Sequence, residues 1–171
     1  MHTDYHYCKD GRYLCAVLDD ASRKVLAAGE FDHKTTLNVL SVLVQACSVC
    51  GPYHPILAVV TDHGSEFYAN KRDARGFAEH VYEQFLKERG IEHVLCGVNH
   101  PQTNGRIVKF YDLYIRHRGR FVNLEDRLLW YNEEKPYGAF NLGIAETSSQ
   151  AFIRMMRPEV WLGLAAKMFN W

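Results

Sequence analysis

Along the first third of the chain, apolar and polar positions follow a strand period. His2 to Tyr7 alternates around Asp4, and Tyr13 to Leu18 is a continuous apolar run, as expected of a strand buried on both faces. Lys24 to Phe31 follows the turn-like Asp19-Asp20-Ala21-Ser22. Three short strands with tight connections predict an antiparallel meander. The period then lengthens. Leu37, Leu40, Val44 and Cys47 recur at helical spacing, with Thr35 or Thr36 as N-cap and Gly51-Pro52 as the stop. Ile56–Val60 reads as a short buried strand. Phe77, Val81 and Phe85 mark a second helix that Gly90 ends, and Ile91–Leu95 is another strand. A polar loop from Cys96 to Gly105 leads into a third helix over Arg106–Arg118. Asn123 caps a fourth helix ending near Tyr131, Ser148 caps a short fifth, and Pro158 precedes an amphipathic tail that ends at Trp171. This order predicts an α/β domain, one mixed sheet with helices on both faces.

Composition narrows the picture. The 171 residues carry 20 Lys+Arg against 20 Asp+Glu, and 47% are hydrophobic, so a packed core is expected and a disordered chain is excluded. No apolar run reaches the roughly 18 residues of a membrane span, and no signal peptide opens the chain. Cys8, Cys15, Cys47, Cys50 and Cys96 are scattered and odd in number, which fits a reducing cytoplasm better than a disulfide framework. Cys47 and Cys50 form a lone CxxC at a helix end, read as core or rim cysteines rather than a zinc site. Zero formal net charge confines any nucleic-acid contact to a local patch.

Two acidic residues occupy positions where chemistry is expected, since ligands in open α/β sheets bind near the carboxyl ends of strands. Asp62 directly follows the strand ending at Val60, in Thr61-Asp62-His63-Gly64, and Asp4 lies inside the first strand. The plain alternatives are a turn residue capping a loop at Asp62 and a solvent-facing residue on a loosely held terminal strand at Asp4. A carboxylate in a strand bound for the core is costly unless paired or metal-bound. Carboxylates on adjacent strands repel unless a cation sits between them, and Mg²⁺ or Mn²⁺ held by carboxylates and water suits phosphate chemistry. A pair of such ions, about 3.5–4 Å apart, clamps both oxygens of a phosphoryl displacement and normally requires a third carboxylate.

Five segments together carry a resemblance: His2-Thr3-Asp4, YLCAVLDDAS at 13–22, TDHGSEFYAN at 61–70, NHPQTNGRI at 99–107 and WYNEEKPYGAFN at 130–141. From His2 to about Arg157 the chain resembles the integrase catalytic core of DDE-type insertion-sequence transposases, within the retroviral-integrase-like superfamily. The resemblance implies a ribonuclease H-like fold with a five-stranded mixed sheet over residues 1–157, followed by a tail at 158–171. It implies catalytic, metal-binding carboxylates at Asp4 and Asp62, with Mg²⁺ or Mn²⁺ as cofactor. The family's third carboxylate, a Glu, stands two residues beyond the HPQTNG loop plus one. Here Arg106 and Ile107 are followed by Val108, which offers no oxygen to a metal. A weakly held ion and impaired catalysis are therefore expected. Asp112, one helical turn (about 5.4 Å) further on, is read as a salt-bridge partner of Arg116. Glu66 could reach the site only by rearranging its loop. The chain also begins three residues before Asp4, so the upstream DNA-recognition region of such transposases is expected to be absent and Asp4 poorly fixed.

At about 100° per residue, Arg106, Lys109, Arg116 and Arg120 share one face of the third helix, provided that the helix survives Gly119. A basic stripe is usually a solvated face, but beside the proposed metal site it reads as a DNA contact with a salt dependence. Asn99, His100 and Gln102, in a loop read as a mobile flap, are further candidates for DNA contact. His63 either hydrogen-bonds a ligated water or caps its loop.

Two classes of function follow. One is a metal-dependent polynucleotidyl transferase of DNA integration or transposition, with DNA and either a second copy or an intact transposase as partners. The other is an inactive DNA-binding or transposase-interacting remnant of the same fold. Ribonuclease H-type cleavage shares the fold but not the HPQTNG loop and ranks last.

Overall fold

A computed structural model describes residues 1–51, 54–69, 71, 74, 78–96, 101–140 and 142–160, with only the backbone of 101–104 and 142. Five strands form one sheet in the order β3-β2-β1-β4-β5. β1 (His2–Tyr7), β2 (Tyr13–Leu18) and β3 (Val25–Phe31) make the antiparallel meander. β4 (Ala58–Thr61) joins β1 in parallel, and β5 (Glu92–Leu95) joins β4 in parallel. Gly11, at φ 87°, sits in the β1–β2 turn, where its N–H donates to the Cys8 carbonyl (3.0 Å). That left-handed conformation suits glycine. β1 is paired on both sides, in register with β2 along its whole length, so Asp4 is well fixed rather than frayed.

Each face of the sheet carries its own apolar layer. On one, Cys15, Val17 and Val59 pack beneath α1 (Thr36–Cys50), α2 (Val81–Glu88) and α5 (Ser148–Arg154) through Val39, Leu43, Tyr82, Leu86 and Phe152. On the other, Leu14, Ala16 and Leu18 meet Ile107, Phe110, Tyr111 and Tyr114 of α3 (Pro101–His117). Positions 107, 110, 111 and 114 form the i, i+3, i+4, i+7 stripe of a helix with one buried face. Residues 118–120 tighten into a 3₁₀ turn after α3, so Gly119 does not lie in an α-helix. α4 (Leu124–Leu129) is capped by Asn123 and runs into a π-helical turn at Trp130–Glu134.

Several expectations shift. α1 keeps its predicted cap, with Thr35 accepting from the Asn38 N–H (3.2 Å), but it buries Val39, Val42, Leu43, Ala46 and Cys50. Leu37 and Val44 are exposed, because apolar residues run nearly all round this helix and the sheet selects which face is covered. In α2 the buried pair is Tyr82 and Leu86, while Val81 is exposed and Phe77 lies outside the described residues. α3 begins at Pro101, five residues before the expected start: proline at a helix's first turn loses no hydrogen bond, so most of HPQTNG is helix rather than flap. Thr147, not Ser148, caps α5, in a reciprocal capping box with Gln150. The tail beyond Val160 lies outside the described residues.

β3 is an edge strand, and its exposed ladder groups are partly satisfied by a side chain. Asn132 accepts from the Val25 N–H (3.0 Å) and donates to the Val25 carbonyl (2.9 Å), both buried. Replacing Asn132 with Leu leaves both groups unpaired, at about 1–3 kcal/mol per group. Asn132→Leu is expected to lower stability by roughly 2–4 kcal/mol in urea denaturation followed by circular dichroism; a loss under 0.5 kcal/mol would show that this amide clamp is dispensable.

Candidate active site

The parallel pairing of β1 with β4 builds the site. His2 stands opposite Val60, so the same register carried two residues on sets Asp4 beside Asp62, just past the end of β4. The frame is tight: the Val60 N–H donates to the Met1 carbonyl (2.8 Å), and the chain's amino group donates to the Ala58 carbonyl (3.0 Å). One Asp4 carboxylate oxygen accepts from the Tyr5 N–H (2.7 Å), and the Tyr111 hydroxyl of α3 donates to the Asp4 carbonyl. Burial, then the neighbouring Asp62 carboxylate, push the Asp4 carboxyl up to about 7; Glu66 adds to the rise, while the Tyr5 N–H and the Lys34 ammonium oppose it. Asp62 Oδ1 accepts from the Gly64 N–H (2.8 Å), so this residue also caps its own loop.

That loop holds a third carboxylate. Glu66 is only 6% exposed and forms an ion pair with Lys34 (3.3 Å). It reaches the vicinity of Asp62 without rearrangement, contrary to the sequence-based expectation. The reason is Gly64: a Cβ there would lie 2.8 Å from Glu66 Cδ and 2.9 Å from both Asp62 Oδ1 and Glu66 Oε1. Glycine leaves this space open for the two carboxylates. The GSE tripeptide was the available signal, but only the folded loop shows both side chains turning to the same side.

Val108 is 47% exposed on α3, one turn before Tyr111, the residue that holds Asp4. The helix is thus anchored to β1 through Tyr111, and the side chain at position 108 carries no oxygen donor. Asp112 is exposed; Arg116 Nε donates to its backbone carbonyl (3.3 Å), and no ion pair joins the two side chains. Among the described residues no three His, Cys, Asp or Glu side chains already form a metal cage. The donor set suits one hard divalent ion, because carboxylate oxygens with water completing the shell are ordinary for Mg²⁺.

The basic stripe is divided. Lys109 and Arg116 are exposed. Arg106, also exposed, forms an ion pair with Asp20 in the β2–β3 turn; Asp20 also lies 3.3 Å from His2. Long-range pairing with Asp20 was invisible to a reading of the helix alone. Arg120 lies over the Trp130 ring (5.9 Å) and shares a hydrogen bond with His117 (3.2 Å). Asn99 and His100 lie outside the described residues, as does the Gln102 side chain. His63 packs edge-on against Tyr68.

An α/β/α sandwich with a three-strand antiparallel meander continued by two parallel strands, and acidic residues on β1 and just past β4, has the ribonuclease H-like fold. The chain belongs to the integrase core domain family, whose model matches residues 1–101. It is 27% identical over 147 residues to ORF3 of Spiroplasma virus SpV1-C74, a provisionally named integrase. That match covers 75% of this chain and 39% of the viral protein's length. Solved structures share the fold. The catalytic core domain of BIV integrase superposes with TM-score 0.64 at 17% identity, covering 90% of this chain and 92% of that one. A chain of the simian T-cell lymphotropic virus intasome, in complex with PP2A regulatory subunit B56 gamma, gives 0.65 at 16%, covering 88% and 52%. The HTLV-2 integrase catalytic core domain in complex with magnesium gives 0.54 at 20%, covering 88% and 93%. No described helix is long and apolar enough to cross a membrane.

The Asp4 environment has a direct consequence for stability. Its carboxyl ionises near 7 when folded but near 3.8 when exposed, so the unfolded state loses this proton first. Without divalent ions, stability is therefore expected to fall as pH rises from about 4 to about 7. Asp4→Asn removes that slope and should be more stable than the native chain at pH 8 by roughly 1–3 kcal/mol, against a ceiling of about 1.4 kcal/mol per pH unit. Thermal unfolding in EDTA across this range checks it; parallel curves for the two proteins would contradict it.

Proposed function

We propose that this chain is the catalytic-core portion of a DNA integration or transposition protein, with Asp4 and Asp62 as its metal-holding carboxylates. One observation carries the reading: a strand pairing that brings Asp4 and Asp62 together, where burial and the neighbouring Asp62 hold the Asp4 carboxyl well above its usual range. Mg²⁺ or Mn²⁺, when bound, supplies charge neutralisation at phosphorus and an activated water or 3′-hydroxyl. The chain's own groups do the rest. Tyr111 and the Tyr5 N–H fix Asp4, the Gly64 N–H fixes Asp62, and exposed Lys109 and Arg116 attract the DNA backbone. The reading treats residues 1–157 as the core and 158–171 as an appended tail. It places the protein in the cytoplasm, which five free cysteines suit, and pairs it with a second copy or an intact transposase on DNA.

Val108 implies slow turnover, since it stands where the family's pattern has its third carboxylate and brings no oxygen donor. The second reading is a non-catalytic DNA-binding or transposase-interacting module, which the same valine favours. The two make opposite predictions. On the enzyme reading, Val108→Glu raises Mn²⁺-dependent plasmid nicking by at least 10-fold, and adding Asp62→Ala abolishes it. No nicking by any of the folded proteins would sink the enzyme reading and leave the module. For DNA contact, Lys109→Glu with Arg116→Glu is expected to weaken duplex retention several-fold and flatten its salt dependence, whereas Arg106→Glu should act through its Asp20 pair and lower stability as well. Fluorescence anisotropy over a salt series measures this; unchanged binding would move the DNA surface elsewhere.

A further inference from the structure

We propose that Glu66 is the third carboxylate of this site, supplying from the loop after β4 what Val108 does not supply from α3. Lys34 is its counter-ion until a divalent cation arrives. The inference rests on the reading of Asp4 and Asp62 as metal-holding residues.

A carboxylate buried this deeply is costly without a strong partner. The described ion pair of Glu66 is with Lys34, itself half exposed, and Ser65 Oγ lies at the 3.5 Å limit of a hydrogen bond. A half-exposed lysine is a compact, well-hydrated charge that exchanges readily. The backbone around Glu66 is far more firmly held. Thr36 Oγ1 donates to the Glu66 carbonyl (3.1 Å), the N–H groups of Phe67 and Tyr68 both donate to the Gly64 carbonyl (3.0 Å each), and Phe67 is fully buried in the core. This frame turns the carboxylate towards Asp62, and the space above Gly64 lies within 2.9 Å of an oxygen from each.

The alternative donors serve less well. Asp112 is exposed, and the charge it places on its surroundings falls on His6, one strand position pair away from Asp4. Cys96 neighbours both aspartates, but its thiol is held protonated by burial and by their charge, and sulfur is a soft donor poorly matched to Mg²⁺. Glu66 Oε1, which borders the space above Gly64, is the same oxygen that pairs with Lys34 (3.3 Å), so ligation through it competes with that ion pair. Lys34 therefore competes with the metal, which makes its removal a second, independent handle.

The test is Mn²⁺ binding to the full chain at pH 8, read from the electron paramagnetic resonance signal of free Mn²⁺. The proteins are the native chain, Asp62→Asn, Glu66→Gln, Glu66→Asp and Lys34→Met, each confirmed folded by circular dichroism. Glu66→Gln is expected to raise Kd about 10-fold or more. Glu66→Asp should do likewise, because it keeps the charge but withdraws the oxygens by one methylene. Lys34→Met, with Glu66 intact, should lower Kd several-fold. If Glu66→Asp binds as the native chain does, whatever Glu66→Gln shows, the ligand role is overturned and only a charge effect survives. An unchanged Kd in Lys34→Met overturns the competition. Should the native chain bind no Mn²⁺, or Asp62→Asn bind it equally well, the two-aspartate reading itself falls and takes this inference with it.

Discussion

The parallel pairing of β1 with β4 is the constraint on which the site depends. Strand pairing is set by backbone hydrogen bonds and by which faces must be buried, and a slip of one residue would turn every side chain over. Here the register of His2 with Val60 sets the end of β4 against β1, and Asp62, just past that end, lies near enough to Asp4 to raise its pKa. The sheet thus holds two carboxyl groups together, and burial with the Asp62 neighbour disfavours ionisation of Asp4. The opposing energy is largely desolvation, and it is tolerated because the strands on either side, and the hydrophobic layers above and below, are stable without it.

α3 adds the second half of the arrangement. Its buried face, Ile107, Phe110, Tyr111 and Tyr114, locks the helix across the sheet, and Tyr111 reaches down to the backbone of Asp4. Because the helix is held by four large side chains, the half-exposed position 108 lies outside the packed face that fixes the helix. The cationic side of α3 is similarly subdivided by packing: Arg106 belongs to a network with Asp20 and His2, Arg120 to Trp130, and Lys109 and Arg116 face outward.

Much of this was legible along the chain. The three-strand meander, the Thr35 and Asn123 caps and the acidic residues at strand ends follow from local rules, because strands alternate, caps need a hydroxyl or amide, and turns favour particular residues. Less was legible where one local pattern permits two outcomes. α1 is apolar nearly all round, so its periodicity could not say whether Leu37 and Val44 or Val39 and Leu43 meet the sheet. HPQTNG looks like a loop by composition, yet Pro101 is well suited to begin a helix. Glu66 was dismissed because four residues of loop have no fixed direction on paper.

What the sequence by itself determined was the kind and order of elements, and the chemistry available at Asp4, Asp62 and Val108, since these depend on residue type and short spacing. What only the tertiary structure decided was which distant groups share space: Asp4 with Asp62, Asp20 with Arg106, Val25 with Asn132, and Glu66 with Lys34 over the gap at Gly64. The physical reason is that electrostatic and hydrogen-bond partners are chosen by proximity and desolvation after the sheet has closed, and neither quantity is a property of any short stretch of chain.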